Sequence, residues 1–548
     1  MKSPRLLCLL IVLLCFSSCA AINPIRLYFE TKLPPAKNYA PVNSVEKMVK
    51  MRSGDYLHTV IFSTDDDMHP CLLVRIPLFE GIKYNLFRQA FGSVWANRGY
   101  TVVIQNVRGF APSEGNMEPF IHERSDGEDT INWLTANQVC GDYIYSWGGS
   151  YFGLTQWAVG DLSTGPKAIQ ISSPRLKSLF YHGGAFALST ALFWVGRNEN
   201  LIATPGEIDS AAALGPDKAE ERLLGKAVPY YRQWWKDGSS EDYWRDTFPN
   251  AGENMKGPVL LMGGWYDPFL PGMLEDFQQL KQRKEITSLV IGPWAHAETV
   301  RMADGFLAKN YRLESIERPL YWFDQLSTDN IKPKVEIFLM GENRWITMDD
   351  YPPPWVKPSS WQLDFGDKSL SRCELGDCQN AQTWETNLVL NKQDPTPAVG
   401  GIELGQNFGP LSQDKLQTRP DVFSLFSAPL TDPLTLIGSP TLSGTVAIAQ
   451  CRSDLVAVLV DRFPDGTSYL ITEGVHRFNS SEKLVSVSLR PTGYVVKAGH
   501  SIGIQITPAS YPKYDLLDCV DSSGQALLSL QSGPSDAWIL QLPNASQL

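Results

Sequence analysis

Basic runs are missing from this chain. Its 548 residues hold 48 Lys and Arg against 59 Asp and Glu, a formal net charge of -11. Neutralising nucleic-acid phosphates takes a basic surface, so a nucleic-acid partner is excluded. Long apolar runs are missing too. The one strongly apolar stretch, residues 6–16, is too short to span a bilayer, so no transmembrane helix is expected. Metal-site spacing is absent: no CxxC occurs, and neither Cys373 with Cys378 nor Cys451 with Cys519 has a histidine nearby, which leaves no metal and no cofactor to assign. No internal repeat is visible. Histidine is scarce, with seven in the whole chain, which narrows the search for a catalytic base.

What is present is a globular composition, 43% hydrophobic and 20% charged, long enough for several domains. Lys2 and Arg5 precede the apolar stretch, and Ser17, Ser18, Cys19, Ala20 and Ala21 follow it. A charged start, a short apolar middle and a small-residue end make an export signal over residues 1–21. Two readings stand. One is cleavage after Ala20 or Ala21, giving a secreted or periplasmic protein. The other is a lipid anchor on Cys19, in a site that resembles a bacterial lipobox with Phe16 in place of the usual Leu. Beyond the signal, Cys71, Cys140, Cys373, Cys378, Cys451 and Cys519 are an even set that an exported protein can pair. Cys373 and Cys378 flank a Glu-Leu-Gly-Asp turn, and Cys451 and Cys519 share a β-rich region. The pairing stays open, as does the oligomeric state.

Apolar runs at 57–62, 72–76 and 101–105 predict strands, with a helix over 87–97 between the last two. Strand, helix, strand is the rhythm of a parallel sheet. Residues 123–137 predict another helix, leading to a strand at 143–147. From 171 to 256 the texture turns aromatic and Gly-dotted, with little strand alternation, as a helical insertion over the sheet would be. Short, fully apolar runs at 258–262 and 288–291 mark a return to buried parallel strands. A Pro-rich break at Tyr351-Pro352-Pro353-Pro354-Trp355 follows. After it, runs at 455–460, 484–489 and 502–506, separated by Gly, Pro and Asp turns, suit a sandwich or jelly roll. The expected division is a core in two parts (22–170 and 257–350), a helical cap (171–256) and an all-β domain (351–548).

The sharpest local signal is Gly148-Gly149-Ser150-Tyr151-Phe152-Gly153, where a strand runs through small residues into Ser and then a helix-like stretch. This is the context of a nucleophile elbow, although the usual Gly two positions after Ser is Phe152 here. A Ser needs a base, and the base needs an orienting carboxylate. In α/β-hydrolases the chain order is Ser, acid, His. His58, His69 and His122 precede Ser150, His182 lies in the insertion, and His476 and His500 lie in the β-rich tail. That leaves His296, just past the 288–291 strand. Asp267, just past the 258–262 strand, is the candidate acid. Loops at the carboxyl ends of parallel strands are where such sheets place function.

These residues resemble an acyl hydrolase family that includes cocaine esterase, α-amino-acid ester hydrolases, glutaryl acylases and X-prolyl dipeptidyl-peptidases. The nucleophile block from Gly148 to Trp157, Gly264-Trp265-Tyr266-Asp267 and Gly292-Pro293-Trp294-Ala295-His296 resemble its nucleophile, acid and histidine blocks. Arg108-Gly109 with Ser113-Glu114-Gly115, and Asp461 with Ala498-Gly499-His500, resemble further blocks. The resemblance implies an α/β-hydrolase core with a helical cap insertion and a C-terminal jelly roll, with His500 structural. It also implies an oxyanion hole made by the Tyr151 backbone N–H and a Tyr hydroxyl. Leu78 stands where that Tyr is expected, so one donor is missing. Tyr84 is near in sequence but does not match the motif. Gln105-Asn106 stands where an Asp is common before Val107-Arg108-Gly109.

Phe186, Trp194 and Trp235 in the insertion are candidates for an apolar substrate pocket. Glu199, Glu207 and Asp209 lie where related proteins hold a substrate amine, but match no motif. The leading expectation is a serine hydrolase cleaving small acyl esters or amides, or a short peptide, through an acyl-enzyme. The alternatives are an X-Pro dipeptidyl-peptidase and a catalytically weakened surface protein that binds through its jelly roll.

Overall fold

A computed structural model describes residues 24–37, 40–327, 332–374, 376–378, 382–405, 407–449, 452–534 and 536–545. The expected export signal, Cys19 and Cys451 lie outside the described residues.

The first half is built on a ten-stranded sheet. In chain order its strands are β1 (Asn43–Lys50), β2 (Tyr56–Ser63), β3 (Cys71–Ile76), β4 (Thr101–Asn106), β5 (Ile144–Gly149) and β6 (Lys167–Gln170). After a short hairpin of β7 (Tyr181–His182) and β8 (Ala185–Phe186) come β9 (Val259–Gly264), β10 (Thr287–Gly292), β11 (Val335–Leu339) and β12 (Arg344–Met348). The spatial order is β1-β2-β4-β3-β5-β6-β9-β10-β11-β12. The pairs from β4 through β11 are parallel, and the edge pairs β1–β2, β2–β4 and β11–β12 are antiparallel.

Burial on both faces explains the apolar runs. Leu72, Val74, Val102 and Ile104 pack with Phe91, Trp95 and Phe323, from helices Ile82–Ala96 and Tyr311–Leu326. The alternate residues Cys71, Leu73 and Val103 pack with Leu134 of helix Glu123–Ala136 on the other face. The helix expected over 87–97 begins earlier, at Ile82. Gly81, at φ 123°, turns the chain into it.

Between β6 and β9 lie six helices: Leu176–Phe180, Leu188–Asn198, Pro205–Ala212, Ala219–Leu224, Pro229–Asp237 and Glu241–Thr247. Their aromatic side chains form one cluster, with Phe180 stacked on Trp234 and Trp244 and Phe120 reaching in from the core. The hairpin of β7 and β8 was not legible in this stretch. From Lys357 onward the described residues are mostly sheet, with thirteen strands among them in one connected network. No helix among the described residues is long and apolar enough to cross a membrane. Disulfides join Cys71 to Cys140 and Cys373 to Cys378.

Candidate active site

β5 ends at Gly149, and helix Tyr151–Ala158 starts two residues later, so Ser150 makes the whole turn. Its φ of 54° and ψ of -126° are a costly conformation for a residue with a side chain, held in place here by its neighbours. The Ser150 N–H donates to the Gln170 carbonyl at 3.0 Å, and the Ser150 carbonyl accepts from the N–H groups of Gly153 and Leu154. A side chain on Gly148 would collide with Phe152, and one on Gly153 with Ser172. Gly153 therefore does the packing work that the usual motif gives to the position now held by Phe152. The Tyr151 N–H opens the helix and, as a first-turn amide, has no acceptor within it.

The loops after β9 and β10 run side by side. The Trp265 N–H donates to the Gly292 carbonyl and the Tyr266 N–H to the Trp294 carbonyl, each at 3.0 Å. Gly264 is required at this contact, because a Cβ there would strike the Trp294 carbonyl. This lacing brings together residues far apart in the chain. His296 Nδ1 lies 2.6 Å from Asp267 Oδ2, and His296 Nε2 lies 2.9 Å from Ser150 Oγ. Asp267 is buried. Its other oxygen accepts the Phe269 N–H at 2.9 Å, and the Phe269 ring stacks on the imidazole at 5.7 Å. The arrangement can move a proton from Ser150 to His296 and hold the resulting imidazolium against a carboxylate.

A second buried network lies behind Tyr151. Its hydroxyl donates to Glu123 Oε1 at 2.8 Å and accepts the Phe120 N–H at 3.3 Å. Glu123 Oε2 pairs with Arg75 Nη2 at 3.0 Å. Burial pushes the Glu123 carboxyl up, and the Arg75 guanidinium opposes that shift. Sequence reasoning missed Phe269, Glu123 and Arg75 as supports, since their roles depend on contacts across the fold.

The remaining candidates separate. Leu78 is buried in the core, and its carbonyl accepts from Asn106 Nδ2 at 2.8 Å. The Tyr84 hydroxyl donates to Asn200 Oδ1 at 3.0 Å. The Trp194 ring lies 6.0 Å from that of Tyr151. Phe186 packs instead between Tyr181 and Tyr231, and the carbonyl of half-buried Trp235 accepts from the Tyr181 hydroxyl. Glu207 closes a capping box with the N-cap Thr204, its carboxylate accepting the Thr204 N–H, and Glu199 pairs with Lys226. His500 pairs with Asp461, which also accepts from the Tyr494 hydroxyl. Among the described residues no group of three or more His, Cys, Asp or Glu is placed to hold a metal ion.

Comparison with known proteins gives a consistent picture. Residues 53–298 match the model of the X-Pro dipeptidyl-peptidase (S15) family, and residues 330–518 match that of the X-Pro dipeptidyl-peptidase C-terminal non-catalytic domain. The chain is 30% identical to cocaine esterase from a Rhodococcus species over 542 residues, covering 87% of this chain and 92% of that protein. It is 20% identical to a putative Xaa-Pro dipeptidyl-peptidase from Bacillus cereus over 520 residues, 89% of this chain and 83% of the relative. Two solved structures share the fold. An aminopeptidase from a Thaumarchaeota archaeon superposes with a TM-score of 0.78 at 18% identity, over 94% of this chain and 98% of that one. An α-amino acid ester hydrolase superposes with a TM-score of 0.75 at 19% identity, over 96% and 100%. The chain belongs to the X-Pro dipeptidyl-peptidase (S15) family of serine hydrolases.

Proposed function

We propose that Ser150, His296 and Asp267 are the catalytic triad of this serine hydrolase, which acts on esters or amides through an acyl-enzyme. One observation carries the assignment: the hydrogen-bond chain from Asp267 through His296 to Ser150, ending on a strained turn at a helix N-terminus. His296 Nε2 takes the Ser150 proton as Oγ attacks the carbonyl, and later activates the water that releases the acyl group. Asp267 holds the proton on Nδ1. The Tyr151 N–H meets the developing oxyanion.

The sheet and its helices are the α/β-hydrolase core, the helices from Leu176 to Thr247 its cap, and the C-terminal strands its jelly roll. Trp194, beside Tyr151, forms an apolar wall for the acyl or leaving group. The similarity to cocaine esterase favours a carboxylic ester as substrate. The charged start, short apolar stretch and small-residue end of residues 1–21 favour an exported enzyme, secreted, periplasmic or anchored through Cys19. Fluorophosphonate labelling tests the triad: wild type labels and Ser150→Ala does not. Labelling that survives in the variant sinks the assignment.

The match of residues 53–298 favours a second reading, release of X-Pro dipeptides. Hydrolysis of an X-Pro chromogenic amide, with no turnover of simple acyl esters, would select it.

A further inference from the structure

We propose that the backbone N–H of Phe79 is the second oxyanion donor, in place of the hydroxyl that Leu78 lacks, and that Asn106 is the residue that aims it. The proposal rests on Ser150 being the nucleophile.

Strand register brings the loop after β3 to the reacting centre. β3 runs parallel to β5, with Leu73 opposite Ser146. β3 ends at Ile76 and β5 at Gly149, and since the two are parallel neighbours, the loop after β3 and the turn at Ser150 leave the same end of the sheet side by side. Leu78 and Phe79 therefore leave the sheet beside the nucleophile.

The direction of the N–H follows from the peptide plane. β3 lies between β4 and β5. Asn106, the last residue of β4, donates its side-chain amide to the Leu78 carbonyl at 2.8 Å. That carbonyl therefore points to the β4 side. The Leu78–Phe79 peptide is not among the cis bonds of the chain. Across a trans peptide the C=O and N–H point in opposite directions, so the Phe79 N–H points to the β5 side, where Ser150 stands. Among the described residues this N–H has no acceptor.

Packing fixes the plane from both faces. Leu78 is buried with Trp147 and Phe91. Phe79 turns the other way, edge-on to Phe110 at 5.0 Å. The Asn106 amide also reaches the carbonyls of Phe110 and Ala111, at 3.3 and 3.0 Å. An Asp at this position has no N–H to donate and would set a carboxylate against these carbonyls. Asn106 thus turns a backbone donor toward the place that the Leu78 side chain cannot serve.

In the acylation step Ser150 Oγ bonds the acyl carbon and its proton passes to His296 Nε2. The carbonyl π pair moves onto oxygen, which the Tyr151 and Phe79 N–H groups then meet. Such bonds strengthen only as charge develops, so their loss lowers kcat and leaves KM nearly unchanged.

The test is steady-state hydrolysis of p-nitrophenyl acetate by Phe79→Pro, Phe79→Ala and Asn106→Asp, each first checked for folding by circular dichroism. Both Phe79 variants remove the ring, and only the Pro variant removes the N–H. We expect kcat for Phe79→Pro to fall about 10²–10³ below that of Phe79→Ala. Asn106→Asp should lose about tenfold or more in kcat with KM little changed. A Pro variant as fast as the Ala variant overturns the proposal. So does a folded Asn106→Asp with wild-type kcat, and that variant alone decides the matter if Phe79→Pro does not fold. Fluorophosphonate labelling of wild type on Ser150 keeps the two levels apart. Without labelling the triad falls. With labelling and unaffected variants, only the Phe79 assignment falls.

Discussion

His296 is held from two sides by one short loop. Asp267 Oδ2 meets Nδ1 at 2.6 Å while Oδ1 is engaged by the Phe269 N–H, so the carboxylate has one orientation. The Phe269 ring then covers the imidazole face. A carboxylate only accepts at this site, which keeps the proton on Nδ1 and leaves the Nε2 lone pair for Ser150. An amide can place its NH₂ against Nδ1 and favour the opposite tautomer. Asp267→Asn is therefore expected to lower kcat for ester hydrolysis by about 10⁴, with KM changed little. A loss below about tenfold would mean that another group orients the ring.

At the level of elements, the elbow depends on close approach between helix Tyr151–Ala158 and the end of β6. A Cβ on Gly153 would lie 2.6 Å from Ser172 Oγ and closer still to its Cβ, and Ser172 is fully buried. The helix would have to lift and carry Ser150 with it. Gly153→Ala is expected to destabilise the protein by about 1–3 kcal/mol and to lower kcat with it. Gly206, in helix Pro205–Ala212, has open space around its missing Cβ. Gly206→Ala should raise stability by up to about 1 kcal/mol with no change in kcat. Thermal unfolding and ester hydrolysis of the two variants check both, and equal behaviour would refute the packing argument. The same contrast explains what could be foreseen. β3, β4, β9 and β10 are buried on both faces, so they read as apolar runs. β1 has one buried residue in eight and no such run. β6 was hidden by Lys167, a buried cation that belongs in a strand only because it donates to the carbonyls of Ser163, Gly165 and Lys256. The hairpin of β7 and β8 rests on a distant contact, the Arg477 N–H on the Gly183 carbonyl. Ser150, Asp267 and His296 were legible because each sits at a strand end in a set order. Glu123 and Arg75 were not, since nothing local marks a residue whose partners lie in other elements.

Across the whole molecule, the C-terminal sheet leans on both the insertion and the acid loop. The Arg490 guanidinium reaches the carbonyl of Pro268, next to Asp267, and the Phe186 N–H donates to Asp515. The Ser189 hydroxyl, on helix Leu188–Asn198, lies 2.8 and 3.0 Å from the two carboxyl oxygens of Glu403. Glu403 is buried in this junction, and burial pushes its carboxyl up to about 7 against the pull of Lys513. In the unfolded chain the group titrates near 4.5. Between these values the folded state binds the proton and the unfolded state does not, so stability falls as pH rises. The contribution is full below about 4.5 and is lost as pH climbs through about 7. Glu403→Gln keeps the neutral form at every pH. Its thermal midpoint should match wild type at pH 5 and exceed it at pH 8. Parallel midpoint curves for the two proteins would mean that Glu403 ionises as readily in the fold as outside it, and that the junction holds a buried carboxylate at neutral pH. A gain confined to high pH would make this junction the point where alkalinity loosens the contact between the insertion and the C-terminal sheet.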